Sequence, residues 1–416
     1  MDSVAIDLPR FDPAAQELLD HPYEVFARYR SADPVHWGLA SMHNLEGAWY
    51  LFRHEENAEV LNNVEVFAND PATAGRESSV PEAFRPMAAV AQRWLGGRDG
   101  TDHKRLRSVL AKAFTPRRIA ALRPRVEAIT NALIDRAVAR GNGKFDIVQD
   151  IAFPLPMAIV GDALGVKQDD WHLFQNWAQD IANAFERPSD LAAGAGGGKA
   201  IQGMVDYFRE LVVRCRATPT DDLLSAMVSE ADDDGKPMSE LDVLAIATEL
   251  GFAGHETVAT GIGKSILGMM DQRDRWTELG TLSGDALDQA TDELLRWTCP
   301  VQRQRWRWTI SDTTLAGRKI ERGQSVISIL AAANRDPNHF PDPDRIDFHR
   351  TKGRHMTFGF GAHFCIGSQL ARFELRSALG TLAASFPDMR LAADPKDIPW
   401  KRDFGVPGPK SVPVTV

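Results

Sequence analysis

Long apolar segments and basic clusters are missing from this sequence. No stretch approaches 18 uninterrupted apolar residues, so we predict no membrane span. The N-terminal residues, MDSVAIDLPRF, include neither a basic n-region nor an apolar h-region, which argues against a secretory signal. Lys and Arg number 48 against 57 Asp and Glu, giving a formal net charge of −9 without a long basic run. The chain is therefore a poor candidate for binding nucleic acid.

Cysteine is scarce as well. The 416 residues include only Cys215, Cys299 and Cys365, which are far apart and odd in number. This argues against a disulfide framework or a zinc knuckle and favours a reducing compartment, the cytoplasm. What is present is ordinary globular composition, with 44% hydrophobic and 25% charged residues. That is enough apolar material for a core that encloses a cofactor.

Helical periodicity dominates the chain, and we expect a mainly α fold with small antiparallel sheets in one domain over residues 1–416. Two segments break the pattern and are predicted to be mobile. The proline-rich stretch of about 71–100 is predicted to be a long functional loop. The stretch of about 187–200 contains glycines and reads as a flexible hinge. The predicted helices are 21–30, 54–62, 102–114, 116–140, 169–185, 201–216, 239–270, 286–297 and 366–386. The predicted strands are 47–52, 306–310, 314–315 and 325–329.

The most informative pattern is a glycine-rich turn that ends at a cysteine, Phe358-Gly-Phe-Gly-Ala-His-Phe-Cys365-Ile-Gly367. An amphipathic helix follows at once, so the positive end of its dipole and its free N–H groups favour a thiolate at Cys365. Gly359, Gly361 and Gly367 let the backbone bend and approach closely. A lone cysteine in a turn is more often structural, but the complete ten-residue pattern favours a thiolate that ligates iron.

This motif resembles the haem-binding loop of bacterial cytochromes P450, and the resemblance extends from about residue 20 to the end of the chain. It implies haem b with Cys365 as the proximal ligand, held between the helix predicted at 239–270 and the helix after the cysteine. It also implies a soluble class I monooxygenase that inserts one oxygen atom from O2 into a C–H bond or a double bond. Electrons would come from NAD(P)H through a reductase and a ferredoxin or flavodoxin, and the protein would be a monomer.

The helix predicted at 239–270 contains Ala253-Gly254-His-Glu256-Thr257. A glycine beside a threonine can open the helix ladder, because the hydroxyl competes for a backbone carbonyl. The resemblance implies that Glu256 and Thr257 deliver protons during oxygen activation, with Ala253 and Gly254 next to the haem. The plainer interpretation is a glycine that lets helices pack. A zinc-protease motif His-Glu-x-x-His is excluded because its last position is alanine.

Glu293 and Arg296 are three residues apart and so share one helix face. Alone they would most often form a solvated surface pair. The resemblance implies instead the buried ExxR pair behind the haem, completed by Arg345 in Phe-Pro-Asp-Pro-Asp-Arg-Ile-Asp. All three would then be structural, since buried charges persist only when they are fully paired.

His103 and Arg107 are four residues apart on one predicted helix face and could bind a carboxylate. The resemblance implies that they bind the haem propionates together with His355 and Arg307. The spacing from Arg296 to Arg307 is one residue longer than is common in the family, so Arg305 remains an alternative. Without the resemblance, each of these residues would be interpreted as a solvated surface charge.

The candidate substrate pocket is mostly apolar. We expect it to be lined by Phe84, Met87, Leu250, Val301 and Val406, and to be closed by the two mobile segments. Arg303 could hold a polar or acidic group, but pairing with haem or solvent is equally open. The resemblance alone implies a natural-product hydroxylase, which is a fold-level analogy.

Two other classes of function stay open. A haem-thiolate peroxygenase or a nitric-oxide reductase would use the same fold without a ferredoxin, but neither needs the acid–threonine pair at 256–257. A haem-free docking module is the third possibility, and intact Cys365 and Thr257 argue against it.

Overall fold

The structure is a computed structural model that describes residues 8–40, 46–76, 80–350 and 353–416. Helices dominate these ranges, and the strands are short. The helices are α1 Gln16–Asp20, α2 Pro22–Ala32, α3 His54–Asn62, α4 Arg85–Ala91, α5 Gly100–Ala113, α6 Pro116–Gly141, α7 Pro154–Leu164, α8 Trp171–Glu186, α9 Leu191–Ala217, α10 Leu223–Ser229, α11 Glu240–Asp271, α12 Arg273–Leu279, α13 Gly284–Thr298, α14 Leu330–Ala333 and α15 Ser368–Ser385. The strands are β1 Val35–Gly38, β2 Ala48–Leu51, β3 Phe67–Ala68, β4 Lys144–Asp146, β5 Arg307–Thr309, β6 Thr313–Leu315, β7 Arg318–Ile320, β8 Ser325–Ser328, β9 Arg390–Leu391, β10 Trp400–Lys401, β11 Gly408–Pro409 and β12 Pro413–Thr415.

The strands of the described ranges form four small sheets. The largest has the order β1-β2-β8-β5-β3, and the others are β4-β12-β9, β6-β7 and β10-β11. Every pair is antiparallel except β2 with β8, where Trp49 is in register with Val326 in a parallel pair. The prediction of small antiparallel sheets is thus confirmed apart from this pair, which joins strands too far apart in the chain for a hairpin signal to reveal.

The 32-residue helix α11 runs through the core, where it packs against α7, α9, α13 and α15. Ser239 begins the helix by accepting a hydrogen bond from the Asp242 N–H at 3.2 Å. Most of the helix surface is buried, so α11 shows apolar residues on nearly every face. This central position lets one face of α11 contribute to a site in the middle of the molecule.

The glycines of segment 187–200 do not form a joint between helices, so that prediction is wrong. They lie inside α9, whose first turn is capped by Asp190 through the backbone N–H groups of the two alanines that follow Leu191. A Cβ at Gly194 would lie 2.4 Å from the Phe84 ring, and one at Gly197 would lie 2.6 Å from a side chain of α8. The glycines therefore allow close helix packing, which offsets a cost of about 1 kcal/mol per helical glycine.

The segment 71–100 is less irregular than predicted. It contains short 3-10 turns at Pro71–Ala74, Glu82–Phe84 and Leu95–Gly97 in addition to α4, which packs against α9. Residues 77–79 of this segment lie outside the described residues. In the described part of the chain, no helix is both long enough and apolar enough to cross a membrane.

Candidate active site

The turn that leads to Cys365 has the backbone that its glycines predict. Gly359 and Gly361 have φ angles of +70° and +68°, which favour glycine. A Cβ at Gly361 would also lie 2.6 Å from the Leu61 carbonyl oxygen. The Cys365 N–H closes the turn by donating to the Phe358 carbonyl at 2.9 Å. The turn therefore holds the cysteine in a fixed position before α15.

Gly367 is different, because its own backbone does not require glycine. Its φ is −84°, and no heavy atom of the described residues lies within 4 Å of the position a Cβ would take. Gly367 is the N-cap of α15, so the helix begins two residues later than predicted. A flat group that lies against this part of the turn would explain why a side chain is absent here.

The Cys365 sulfur lies in a recess of the protein. Its accessible surface is that of an exposed residue, yet the surrounding protein desolvates the thiolate. This burial raises the pKa of the Cys365 thiol, while the Gly367 N–H and the Arg107 guanidinium lower it to a smaller extent. The thiolate therefore needs a further positive partner, and a metal ion is the partner that thiolates commonly ligate.

A group of buried and half-buried cationic and imidazole side chains lies close to this recess. We call it the cationic cluster, and its members are His103, Arg107, Arg305, Arg307 and His363. The His103 and His363 rings are 4.0 Å apart between centroids. His103 Nε2 is buried without a hydrogen-bond partner among the described residues.

The electrostatics of the cationic cluster show an excess of positive charge. Burial, followed by His103 and the three guanidinium groups, lowers the pKa of His363 to about 2. Burial also lowers the pKa of Arg307 to about 10, against a smaller opposing effect of Asp99. Burial lowers the pKa of Arg305 as well, and Glu249 opposes this by raising it. A ligand with two carboxylates, such as haem, fits this donor set because it would supply negative charge where cations crowd.

His355 does not lie in the cationic cluster, contrary to the prediction. Its Nε2 is 3.7 Å from Asp292 Oδ1, which accepts a hydrogen bond from Arg372 Nε at 2.6 Å. The histidine that contacts His103 in the cluster is His363, from the cysteine motif itself. The position of His363 two residues before Cys365 was the available signal, since a tight turn brings such close neighbours to one site.

The ExxR pair is buried as predicted, but its third member is not Arg345. Arg296 donates from Nε and Nη2 to the two Glu293 oxygens, each at 2.7 Å. Arg350 Nε lies 3.2 Å from both of those oxygens and completes the triad. Arg345 is exposed and offers only its backbone carbonyl to Arg296 Nη2. The reason is a turn that buries Ile346 and so directs the neighbouring Arg345 outward.

On α11, Ala253 and Thr257 lie on one face because they are four residues apart. The Thr257 hydroxyl donates to the Ala253 carbonyl at 3.1 Å, as the predicted competition for a carbonyl requires. The helix nevertheless remains continuous. A Cβ at Gly254 would lie 2.6 Å from Val160 in α7, so this glycine serves helix packing.

Glu256 has a partner that the sequence did not indicate. Its Oε1 accepts a hydrogen bond from Lys401 Nζ, and the same ammonium group lies 3.1 Å from Asp403 Oδ2. Both side chains of the first pair are largely buried, with 19% and 21% of their surfaces exposed. A lysine 145 residues away in the chain gives no local signal. The C-terminal hairpin of β10 and β11 thus fixes the carboxylate of Glu256.

The predicted pocket residues fall into two groups. Phe84 and Met87 are buried, and both pack against glycines of α9. Leu250, Val301 and Val406 are only partly buried and so remain available to a ligand.

Comparisons with known proteins agree with this geometry. The family model of cytochrome P450 matches residues 93–279 and 285–408. The chain is 31% identical over 408 residues to the polyketide biosynthesis cytochrome P450 PksS of Bacillus subtilis, covering 98% of each chain. It is 34% identical over 420 residues to cytochrome P450 107B1 of Saccharopolyspora erythraea, covering 98% of this chain and 97% of that one. It is 33% identical over 403 residues to the monooxygenase PikC of Streptomyces venezuelae, covering 96% and 92%.

Solved structures give the same result. The structure of PksS superposes with a TM-score of 0.86 at 31% identity, covering 97% of this chain and 99% of that chain. P450BioI, solved in complex with a fatty-acyl carrier protein, superposes with a TM-score of 0.87 at 28% identity, covering 97% and 100%. The predicted fold is confirmed by these likenesses.

Proposed function

Because the chain belongs to the cytochrome P450 family, whose members bind haem b and act as monooxygenases, we propose that its substrate is a mostly apolar secondary metabolite. One oxygen atom from O2 would be inserted into a C–H bond or a double bond of that substrate. The observation that carries the proposal is the placement of the Cys365 turn beside the cationic cluster. Biosynthetic relatives such as PksS and PikC support the substrate class.

The residues that would hold the haem follow from the site. Cys365 would ligate the iron, and Gly367 would leave room for the ring. His103, Arg107 and Arg307 would bind the propionates, and His363 would join them from within the turn. Arg305 is less available because Glu249 faces it. When bound, the haem supplies the activation of O2, and the thiolate tunes it by donating electron density.

Two residues of α11 would handle protons. The Thr257 hydroxyl would donate a hydrogen bond towards the reacting oxygen instead of the Ala253 carbonyl. Glu256 would supply protons from the side of the C-terminal hairpin, where Lys401 holds its carboxylate. Positioned groups of this kind typically contribute ~10²–10⁴-fold to a proton-transfer step.

Redox partners supply the electrons in this family. A ferredoxin or flavodoxin, reduced by an NAD(P)H-dependent reductase, is our proposal for this chain. All three cysteines are free in the structure, which supports the predicted reducing compartment, the cytoplasm. The monomeric state stays a prediction.

The test is the carbon monoxide difference spectrum of the reduced protein. We expect a strongly red-shifted Soret band, which Cys365→Ala should abolish. Cys215→Ala is the matched control, since this cysteine lies far along the chain in α9, and it should keep the band. An ordinary haem band in the wild-type protein would refute the thiolate assignment, and a protein without a haem band would refute the function.

A further inference from the structure

Arg303 belongs to an extended segment that passes along the candidate site. The Gln302 N–H donates to the Gly405 carbonyl and the Gln304 N–H to the Ser328 carbonyl, a two-residue period typical of extended backbone. Arg303 and Arg305 therefore project from the same side. Since Arg305 belongs to the cationic cluster, Arg303 lies one step further along the same side of the segment.

The Arg303 guanidinium is held tightly. Its side chain is only 10% exposed, and Nη2 lies 3.0 Å from Glu186 Oε1 at the end of α8. The centroids of the Trp306 and Phe404 rings lie 5.2 Å and 5.3 Å from its Cζ. Two aromatic contacts and one ion pair fix the planar group in one orientation, as a specific anion-binding site requires.

Two hydrogen-bond donors in this place lack acceptors. Arg303 Nε and Trp306 Nε1 are both buried, and neither has a hydrogen-bond partner among the described residues. A buried unsatisfied donor costs about 1–3 kcal/mol, so two of them on side chains that contact each other point to an acceptor that comes from outside the chain. A guanidinium group has five N–H donors, which allows it to bind a second carboxylate beside the one it already contacts.

Glu186 is a weak competitor for such an acceptor. Burial raises the pKa of the Glu186 carboxyl more than Arg303 lowers it. The carboxyl group is also pressed against the backbone, since a Cβ at Gly405 would lie 2.2 Å from Oε1. Glu186 therefore balances part of the charge of Arg303, while Arg303 Nε remains without an acceptor among the described residues.

Apolar residues of the predicted pocket flank this place. Val301 precedes Arg303 by two residues, and Val406 follows Gly405, whose carbonyl is bonded to the neighbouring Gln302 N–H. Both valines are only partly buried. The two free donors thus lie at a polar end of an otherwise apolar lining.

We propose that Arg303, together with the indole N–H of Trp306, binds a carboxylate of the substrate and so determines specificity. The substrate class is a small molecule with an apolar body and a terminal carboxylate remote from the reacting carbon. This inference rests on the proposed monooxygenase function, since it places the carboxylate in the pocket of that enzyme.

The test uses probes that bind without turnover. A series of ω-(imidazol-1-yl)alkanoic acids of increasing length would be titrated into the haem-loaded protein beside the corresponding methyl esters. The imidazole ligates the iron, and the Soret shift reports binding. At one chain length we expect the acid to bind about tenfold more tightly than its ester, which is about 1.4 kcal/mol. Arg303→Gln should remove this preference, and Trp306→Phe should reduce it several-fold.

Control variants distinguish carboxylate binding by Arg303 from a general effect of charge and from a loss of folding. Arg402→Gln removes an exposed arginine that pairs with Asp20 at the surface, and it should keep the preference. Glu186→Gln should keep or increase it, because a competitor is removed. Arg303→Lys keeps the positive charge but lacks the planar guanidinium group, so it should retain only part of the preference for the acid. This variant serves as the test if Arg303→Gln does not fold.

The outcomes distinguish the two proposals. Equal binding of acid and ester at every length, or a preference that survives in Arg303→Gln, overturns the inference about Arg303 alone, provided that the carbon monoxide spectrum shows the thiolate band. A wild-type protein without that band overturns the proposed function and the inference with it.

Discussion

Thr257 contributes one hydroxyl to the candidate site, and that hydroxyl is bonded only weakly to the protein, through the Ala253 carbonyl at 3.1 Å. Thr257→Ala should therefore leave haem binding intact. The product formed per NAD(P)H should fall at least about tenfold. This is less than the ~10²–10⁴-fold that a positioned proton donor typically contributes, because water can partly replace the hydroxyl. Peroxide should rise in proportion. Coupling is measured as product and peroxide per NAD(P)H.

A control for this prediction lies one turn further along α11. Thr260 is buried against Gly408 of the C-terminal hairpin, so it has no access to the site face. Thr260→Ala should keep the wild-type coupling. Unchanged coupling in Thr257→Ala would remove this residue from the proposed proton delivery.

His255 gives the folded protein a sensitivity to acid. The residue is 2% exposed, and burial lowers its pKa to about 4 from the usual 6.5. The unfolded chain then binds a proton between pH 6.5 and 4 that the folded chain does not, so stability falls as pH falls through this window. The loss should reach about 3 kcal/mol.

His255→Gln should flatten this dependence when the free energy of unfolding is measured from pH 7 to pH 4. The exposed His172 in α8 provides the control, and His172→Gln should retain the wild-type slope. Parallel curves for the wild type and His255→Gln would show that the imidazole is not held neutral by burial.

At the scale of elements, the Glu293 triad joins α13 to the segment that follows Phe340. Arg350→Ala removes one of two cations from a buried carboxylate, and such losses cost about 3 kcal/mol. Arg345→Ala removes an exposed side chain and should change stability by less than about 0.5 kcal/mol. Thermal unfolding and haem content of the two variants test the assignment. Equal losses of stability in the two variants would mean that Arg350 has no special role in the triad.

The glycines of α9 offer a second comparison between neighbouring positions. Gly194→Ala would place a methyl group 2.4 Å from the Phe84 ring, and overpacking of this kind costs about 1–3 kcal/mol. Gly196 has no described atom within 4 Å of a Cβ, so Gly196→Ala should stabilise the helix by up to about 1 kcal/mol. We expect the two substitutions to change the free energy of unfolding, measured with denaturant, in opposite directions. Stabilisation by both changes would mean that the Phe84 ring does not restrict the side chain at position 194.

At the scale of the whole molecule, the sequence predicted what local patterns determine. Helices with an apolar stripe and the turn of Gly359, Gly361 and Cys365 depend on neighbours within a few residues. Each predicted helix overlaps a helix of the structure, although α9 begins at Leu191 and not at residue 201. The third arginine of the Glu293 triad was misplaced because two candidates follow the same turn. Only the burial of Ile346 decides between them, and burial is a property of the assembled chain.

Contacts across long stretches of sequence were beyond prediction for the same reason. Lys401 meets Glu256 across 145 residues, and Arg303 meets Glu186 across 117. Neither pair has a spacing that a helix or a strand would reveal. The glycines of α9 were assigned to a hinge because glycine has low helix propensity, whereas close packing against Phe84 overrides that preference.

The cationic cluster makes the stability of the whole protein depend on its cofactor. Haem binds the folded chain and not the unfolded one, so a thousandfold excess over its dissociation constant adds about 4 kcal/mol of stability. Without haem, burial disfavours the charged form of the Arg307 guanidinium, so Arg307→Gln should raise the melting temperature of the haem-free protein. With haem, the same change would remove the proposed propionate partner and should lower the melting temperature. A double comparison of melting temperatures, with Arg402→Gln as the surface control, tests this reversal of sign. If Arg307→Gln lowers both temperatures alike, Arg307 serves the fold and not the cofactor, because only a ligand-dependent interaction changes sign when the ligand is removed.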